Sequence, residues 1–98
     1  MNTGKAIKDM RIELKLTQSE LCERIQISQT SLSQIELGKK EPSKRTLEKI
    51  SKALDIPVGL IYILAIEDQD VPSSKSALYS VLFPSIKQLT LNIVKNES

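Results

Sequence analysis

Four uncharged polar side chains recur along one stretch of this 98-residue chain: Gln29, Thr30, Ser33 and Gln34. Wound on a helix, they share one face. A carboxamide can pair with two edge atoms of adenine at once, and a threonine methyl can meet the methyl of thymine. Charged side chains on such a face would bind phosphate and read nothing, and an ordinary solvated helix more often carries Lys and Glu there. The other reactive groups are few. There is no histidine and one cysteine, Cys22. That excludes an intrachain disulfide, a Cys/His zinc site and a Cys–His or Ser–His catalytic pair. Glu20 and Glu23 fall on a helix surface with no metal cluster and no Gly-rich phosphate loop. An enzyme is therefore not expected, nor a metal or a cofactor.

The elements that position these side chains follow from periodicity and caps. Apolar residues recur at helical spacing throughout, so the chain reads as all-α. Ala6, Ile7, Met10 and Leu14 predict a first helix that ends at Lys15-Leu16. Thr17 is an N-cap with Glu20 as its capping-box partner, and Leu21, Cys22 and Ile25 are the apolar stripe of a second helix. After the short connection Gln26-Ile27, Ser28 caps a third, whose inward residues are Leu32 and Ile35 and whose stop is Gly38. Two short helices joined so tightly cross steeply with their apolar faces together. The face carrying Gln29, Thr30, Ser33 and Gln34 is then left outward. Ser43 caps a fourth helix with Leu47, Ile50, Ala53 and Leu54 inside. Pro57 suits the first position of a fifth, 57–65, with Leu60, Ile63 and Leu64 directed to the core.

Bulk properties agree with a small globular protein: 40% hydrophobic, 27% charged and 3% aromatic residues leave a core of Leu, Ile, Val and Ala. Residues 1–66 carry a net charge of +3 and residues 67–98 of −1, so the N-terminal part is the basic one. The N-terminus lacks an apolar signal-peptide core. The uncharged, apolar-rich runs Ile56–Ile66 and Ser76–Ile86 fall short of the roughly 20 residues a membrane span needs. A soluble, cytoplasmic protein with no membrane partner is expected.

The stretch TQSELCERIQISQTSLSQIELGKKEPSKRTLEKISKALDIP resembles the helix-turn-helix domain of the phage repressor/Cro family. The match runs from about Gly4 to about Leu64. The resemblance implies a five-helix bundle whose third helix lies in the major groove of double-stranded DNA. Gln29, Thr30 and Gln34, with Ser33, match the family's base-reading positions. Thr17 and Gln18 match positions at the N-terminus of the second helix that meet phosphate. Lys39, Lys40, Lys44 and Arg45 lie in and after the loop that flanks the backbone. Arg11 and Glu36 occupy the places of an ion pair that pins the first helix to the third. Two positions depart from the pattern: Gln26 stands where the family commonly has glycine, and Leu37 where a polar residue often approaches phosphate.

The domain division expected is 1–66 for the DNA-binding bundle, 67–75 for an acidic, Pro- and Ser-containing linker, and 76–98 for a C-terminal helical segment that Pro84 breaks or kinks. The run Val58–Ile66 is more apolar than one core-facing side requires. Ile61, Tyr62 and Ile66, together with Leu78, Leu82, Ile86, Leu89 and Ile93, are therefore assigned to a dimer interface. The resulting expectation is a homodimeric repressor, bacterial or phage-encoded, reading a palindromic operator. Two alternatives stand beside it. One is an antitoxin or restriction controller whose C-terminal segment grips a partner protein. The other is an interaction adaptor without specific DNA binding.

Overall fold

The computed structural model describes residues 1–96. These form six α-helices and no strand: α1 Thr3–Glu13, α2 Gln18–Ile25, α3 Gln29–Glu36, α4 Lys44–Leu54, α5 Val58–Ala65 and α6 Ser76–Lys95. The last two residues of the expected 76–98 segment lie outside the described ones.

Helix starts are set by local hydrogen bonds. The Asn2 carboxamide accepts from the Lys5 N–H at 3.0 Å, so α1 begins earlier than its apolar spacing suggests. Thr17 and Glu20 form a reciprocal capping box: the Thr17 hydroxyl accepts from the Glu20 N–H at 3.1 Å, and the Glu20 carboxylate from the Thr17 N–H at 2.9 Å. The second bond holds the Glu20 carboxyl below its usual range. This contact is therefore intact above the ordinary carboxylate pKa and is lost as pH falls through the lowered value. The Ser28 and Ser43 hydroxyls cap α3 and α4 by accepting from the Ser31 and Thr46 N–H groups, at 3.0 and 3.1 Å. Pro57 stands one residue outside α5, as its N-cap.

The core is aliphatic: Ile7, Met10, Leu21, Ile25, Leu32, Ile35, Ile50 and Ile61 are its largest fully buried side chains. α1 is central, packed on α3, α5 and α6. Its N-terminal turn is held by the Asn2 N–H, which donates to the Ala65 carbonyl at 2.7 Å, and by Thr3, whose hydroxyl donates to Glu41 at 3.2 Å. Gly4 is buried where α1 meets the end of α3. A Cβ there would overlap the Ile35 carbonyl oxygen, so only glycine allows this approach.

One feature departs from the sequence reading and two refine it. First, α5 buries Ile61, Leu64 and Ala65, while Leu60 and Ile63 stay half-buried. The fifth helix is thus rotated from its expected register, and Ile61, at 0% exposure, belongs to the core and not to an outward face. Second, residues 67–75 contain two 3₁₀ turns, Asp68–Asp70 and Ser73–Lys75. Third, of the break or kink expected at Pro84 the break does not occur; α6 runs through it for 20 residues. Pro84 and Ser80 are both exposed, so water can satisfy the Ser80 carbonyl that loses its helical donor.

Two substitutions test this packing. Gly4→Ala should cost about 1–3 kcal/mol or more through overpacking against α3. Gln26→Gly should stabilise by about 1 kcal/mol by relieving a left-handed non-glycine residue (φ 56°). Urea and thermal unfolding followed by circular dichroism measure both; a Gly4→Ala protein as stable as the parent would contradict the close approach.

Candidate nucleic-acid interface

The α2–α3 unit is built around Gln26. This residue closes α2 in the left-handed conformation (φ 56°, ψ 51°), the backbone geometry for which glycine is the usual choice. Lys49 on α4 steadies the turn by donating to the Gln26 carbonyl at 3.2 Å. Leu32 and Ile35 are then locked into the core, and the opposite face of α3 points outward.

On that face Gln29, Thr30 and Gln34 are exposed and Ser33 is half-buried. They line an open cleft of about 480 Å³ together with Gln18, Leu37 and Lys39. The cleft thus brings together all four residues expected to read bases and two of those expected at phosphates. Thr17, Lys44 and Arg45 are exposed outside its lining. Lys40 reaches back to donate to the Ser31 hydroxyl at 3.2 Å. Lys44, in the first turn of α4, lines a different hollow with Pro42, Leu47, Glu48, Val58 and Tyr62.

The Arg11–Glu36 pair is present and bidentate. Arg11 Nε donates to one Glu36 oxygen at 2.8 Å and Nη2 to the other at 3.0 Å. The Glu36 side chain is only 3% exposed and that of Arg11 13%. Two further bonds were not foreseen from sequence. Arg11 Nη1 donates to the Leu16 carbonyl at 2.9 Å, and the Gln18 amide donates to Glu36 at 3.0 Å. One carboxylate therefore joins α1, the start of α2 and the end of α3. Leu37, a departure from the family pattern, is exposed and lines the cleft, as its spacing from Ser33 and Gln34, four and three residues, allows. Cys22 is buried between these helices; burial pushes its thiol pKa up, which keeps it protonated and apolar at neutral pH.

The C-terminal helix presents a second surface. Leu78, Val81, Leu82, Ile86, Leu89 and Ile93 are all exposed, Val81 most of all at 74%. Tyr62 is exposed on α5 and Ile66 is half-buried. Only Thr90, Leu91 and Val94 of α6 are buried. The two charged residues of α6 both turn toward α1: Lys87 pairs with Asp9 at 3.4 Å and Lys95 with Glu13 at 3.0 Å. Near its start, Tyr79 stacks on Phe83 (ring centroids 4.6 Å apart) and donates to the Ile66 carbonyl at 3.4 Å. Among the described residues no group of three or more His, Cys, Asp or Glu could hold a metal ion, and no helix is long and apolar enough to cross a membrane.

A helix-turn-helix family model matches residues 7–61. The immunity repressor protein of Bacillus phage phi105 is 43% identical over 61 residues, 62% of this chain and 42% of that protein. The ImmF control region 10 kDa protein of the same phage is 34% identical over 64 residues, 65% of this chain and 71% of the relative. An uncharacterized HTH-type transcriptional regulator of Mycobacterium tuberculosis is 29% identical over 94 residues, 92% of this chain and 67% of the relative. The chain thus spans about two-fifths of the phage immunity repressor's length. No solved structure matches.

Arg11→Ala should destabilise the protein by about 3–5 kcal/mol, because it strands a buried carboxylate. Exchanging Lys95 for Ala, which breaks a pair whose partners are 45% and 30% exposed, should cost ~1 kcal/mol or less. Denaturant midpoints of the two variants, compared side by side, measure the contrast; equal losses would remove the special role of the Glu36 junction.

Proposed function

The chain belongs to the helix-turn-helix family, and from that premise we propose that it is a DNA-binding transcriptional regulator, a homodimeric repressor that reads a palindromic operator through α3. The observation that carries the reading is the outward face of α3. Its amides and hydroxyls surround one cleft with Gln18 and Lys39, and none of the four on α3 is charged. Such a face can exchange its water for hydrogen bonds to base edges in the major groove. Gln29, Thr30, Ser33 and Gln34 are the proposed base readers. Thr17, Gln18, Lys39, Lys40, Lys44 and Arg45 are the proposed phosphate contacts, where exposed N–H groups and cations meet anionic oxygens. The Arg11–Glu36 pair holds the reading helix at its angle. The function is binding and not catalysis, and its setting is the cytoplasm of a bacterium or of a phage-infected cell.

The dimer is proposed to form through α6. Six large apolar side chains on one helix are more than an isolated monomer ordinarily leaves to water. Because Lys87 and Lys95 are drawn to α1, that face meets a second copy of itself without like-charge repulsion. Tyr62 and Ile66 join it from the end of α5. The names of the phage relatives, an immunity repressor and a control-region protein, support regulation by repression.

Selection from a randomised duplex pool, followed by titration at several salt concentrations, tests the DNA reading. The parent should prefer its selected site to random DNA by at least ~10³. Gln29→Ala should cost about 1–3 kcal/mol on that site and relax preference at one position. Lys44→Ala should weaken all duplexes alike and lower the salt slope by about one unit. Equal losses from both variants on specific and random DNA would overturn the assignment of readers and phosphate contacts.

A light-scattering measurement tests the dimer. The parent should have the mass of two chains. Leu82→Glu combined with Leu89→Glu should give one chain with unchanged helical content and roughly 10²-fold weaker operator binding, through lost avidity. A parent that is monomeric alone but co-purifies with a different protein would favour the partner-binding alternative.

A further inference from the structure

Leu37 closes α3 and is 67% exposed. It continues the face of Thr30, Ser33 and Gln34 by one turn, standing seven, four and three residues beyond them. With them it lines the cleft, where every other lining side chain is polar or charged. Its presentation is rigid. The N–H groups of Leu37, Gly38 and Lys39 donate in turn to the carbonyls of Ser33, Ile35 and Gln34, at 3.0, 3.0 and 2.9 Å. The two residues before it are anchored, Ile35 in the core and Glu36 by Arg11. No residue of α6 lines this cleft, so Leu37 belongs to a surface separate from the exposed apolar face of α6.

An apolar side chain held there gains nothing from phosphate oxygens, which it would only desolvate. On the base edges of the major groove, one apolar group is on offer: the C5-methyl of thymine. We propose that Leu37 is a specificity residue that recognises a thymine methyl at the edge of the stretch read by Gln34. The inference rests on α3 being the DNA-facing helix. Leu37 then adds a second apolar contact, beyond the Thr30 methyl, to a surface that reads mainly through the hydrogen bonds of Gln29 and Gln34. A polar residue at the same place would contact the backbone without distinguishing bases.

The experiment uses the full chain and the duplex it enriches most strongly from a randomised pool. Each thymine of that duplex is replaced singly by uracil, which removes only the methyl. Affinities are measured for the parent, Leu37→Ala and Gln29→Ala. One replacement should weaken the parent about fourfold, the worth of burying one methyl-sized group. Leu37→Ala should bind the thymine and uracil forms of that duplex equally, and Gln29→Ala should keep the distinction. Because Leu37 is exposed, the alanine variant should match the parent in helical content and melting temperature. Indifference of the parent to every uracil, or a Leu37→Ala protein that still distinguishes the two forms, overturns the proposal. A pool from which nothing is enriched refutes the DNA reading itself, whereas enrichment without a uracil effect refutes the role of Leu37 alone.

Discussion

The Glu36 carboxylate is the junction on which the arrangement depends. It accepts two hydrogen bonds from Arg11 on α1 and one from Gln18 at the start of α2, while its own backbone ends α3. A charge so little exposed is tolerated only when its oxygens are satisfied, and here they are. The bidentate geometry matters more than the charge. Two parallel N–H···O bonds fix direction as well as distance, so α3 is held in angle and in place. Gly4 acts at the same end of α3, letting the backbone of α1 come close to the Ile35 carbonyl. Polar geometry and steric fit thus constrain one helix end together.

That constraint frees the other side of α3. An eight-residue helix is too short to be stable by itself. Its stability comes from Leu32 and Ile35 in the core, from the Ser28 cap and from the Glu36 junction. None of these uses the outward residues. Gln29, Thr30, Ser33, Gln34 and Leu37 can therefore vary with a partner's surface at little expense to the fold. A binding face on a rigid scaffold loses little conformational entropy on association, which suits the short, uncharged side chains found there.

The C-terminal helix follows the opposite logic. α6 touches the bundle through Thr90, Leu91 and Val94, the Tyr79 hydroxyl and two ion pairs, and leaves six large apolar side chains to solvent. The ion pairs are half-exposed and contribute little energy. Their effect is directional: they turn the only charges of α6 inward and leave its outer face uncharged and largely apolar. The two surfaces of the molecule are thereby distinct, one polar and built on a locked helix, the other apolar and built on a lightly docked one.

Much of this was legible without coordinates because it rests on local interactions. Caps act over three or four residues, so Thr17, Ser28 and Ser43 declare their helices directly. Helical periodicity, likewise local, placed Gln29, Thr30, Ser33 and Gln34 together on one face. The left-handed turn at Gln26 was legible only as a departure from a pattern. The resemblance suggested the pairing of Arg11 with Glu36, but not its junction with Gln18 and Leu16, which requires three segments to meet in space. α5 is apolar on nearly every side, so its own pattern could not tell Ile61 from Leu60 or Ile63; only the surfaces of α1, α4 and α6 decided which side is covered. Pro84 breaks or kinks a helix by local rule, and α6 continues past it where Ser80 and Pro84 are both exposed, so that water can satisfy the carbonyl left without a donor. What the sequence determined by itself are the helices, their caps and the chemistry of each face, since these depend on near neighbours. What tertiary structure decided are the rotation of α5, the continuity of α6 and the company Leu37 keeps, since burial is settled by which distant segment lies opposite.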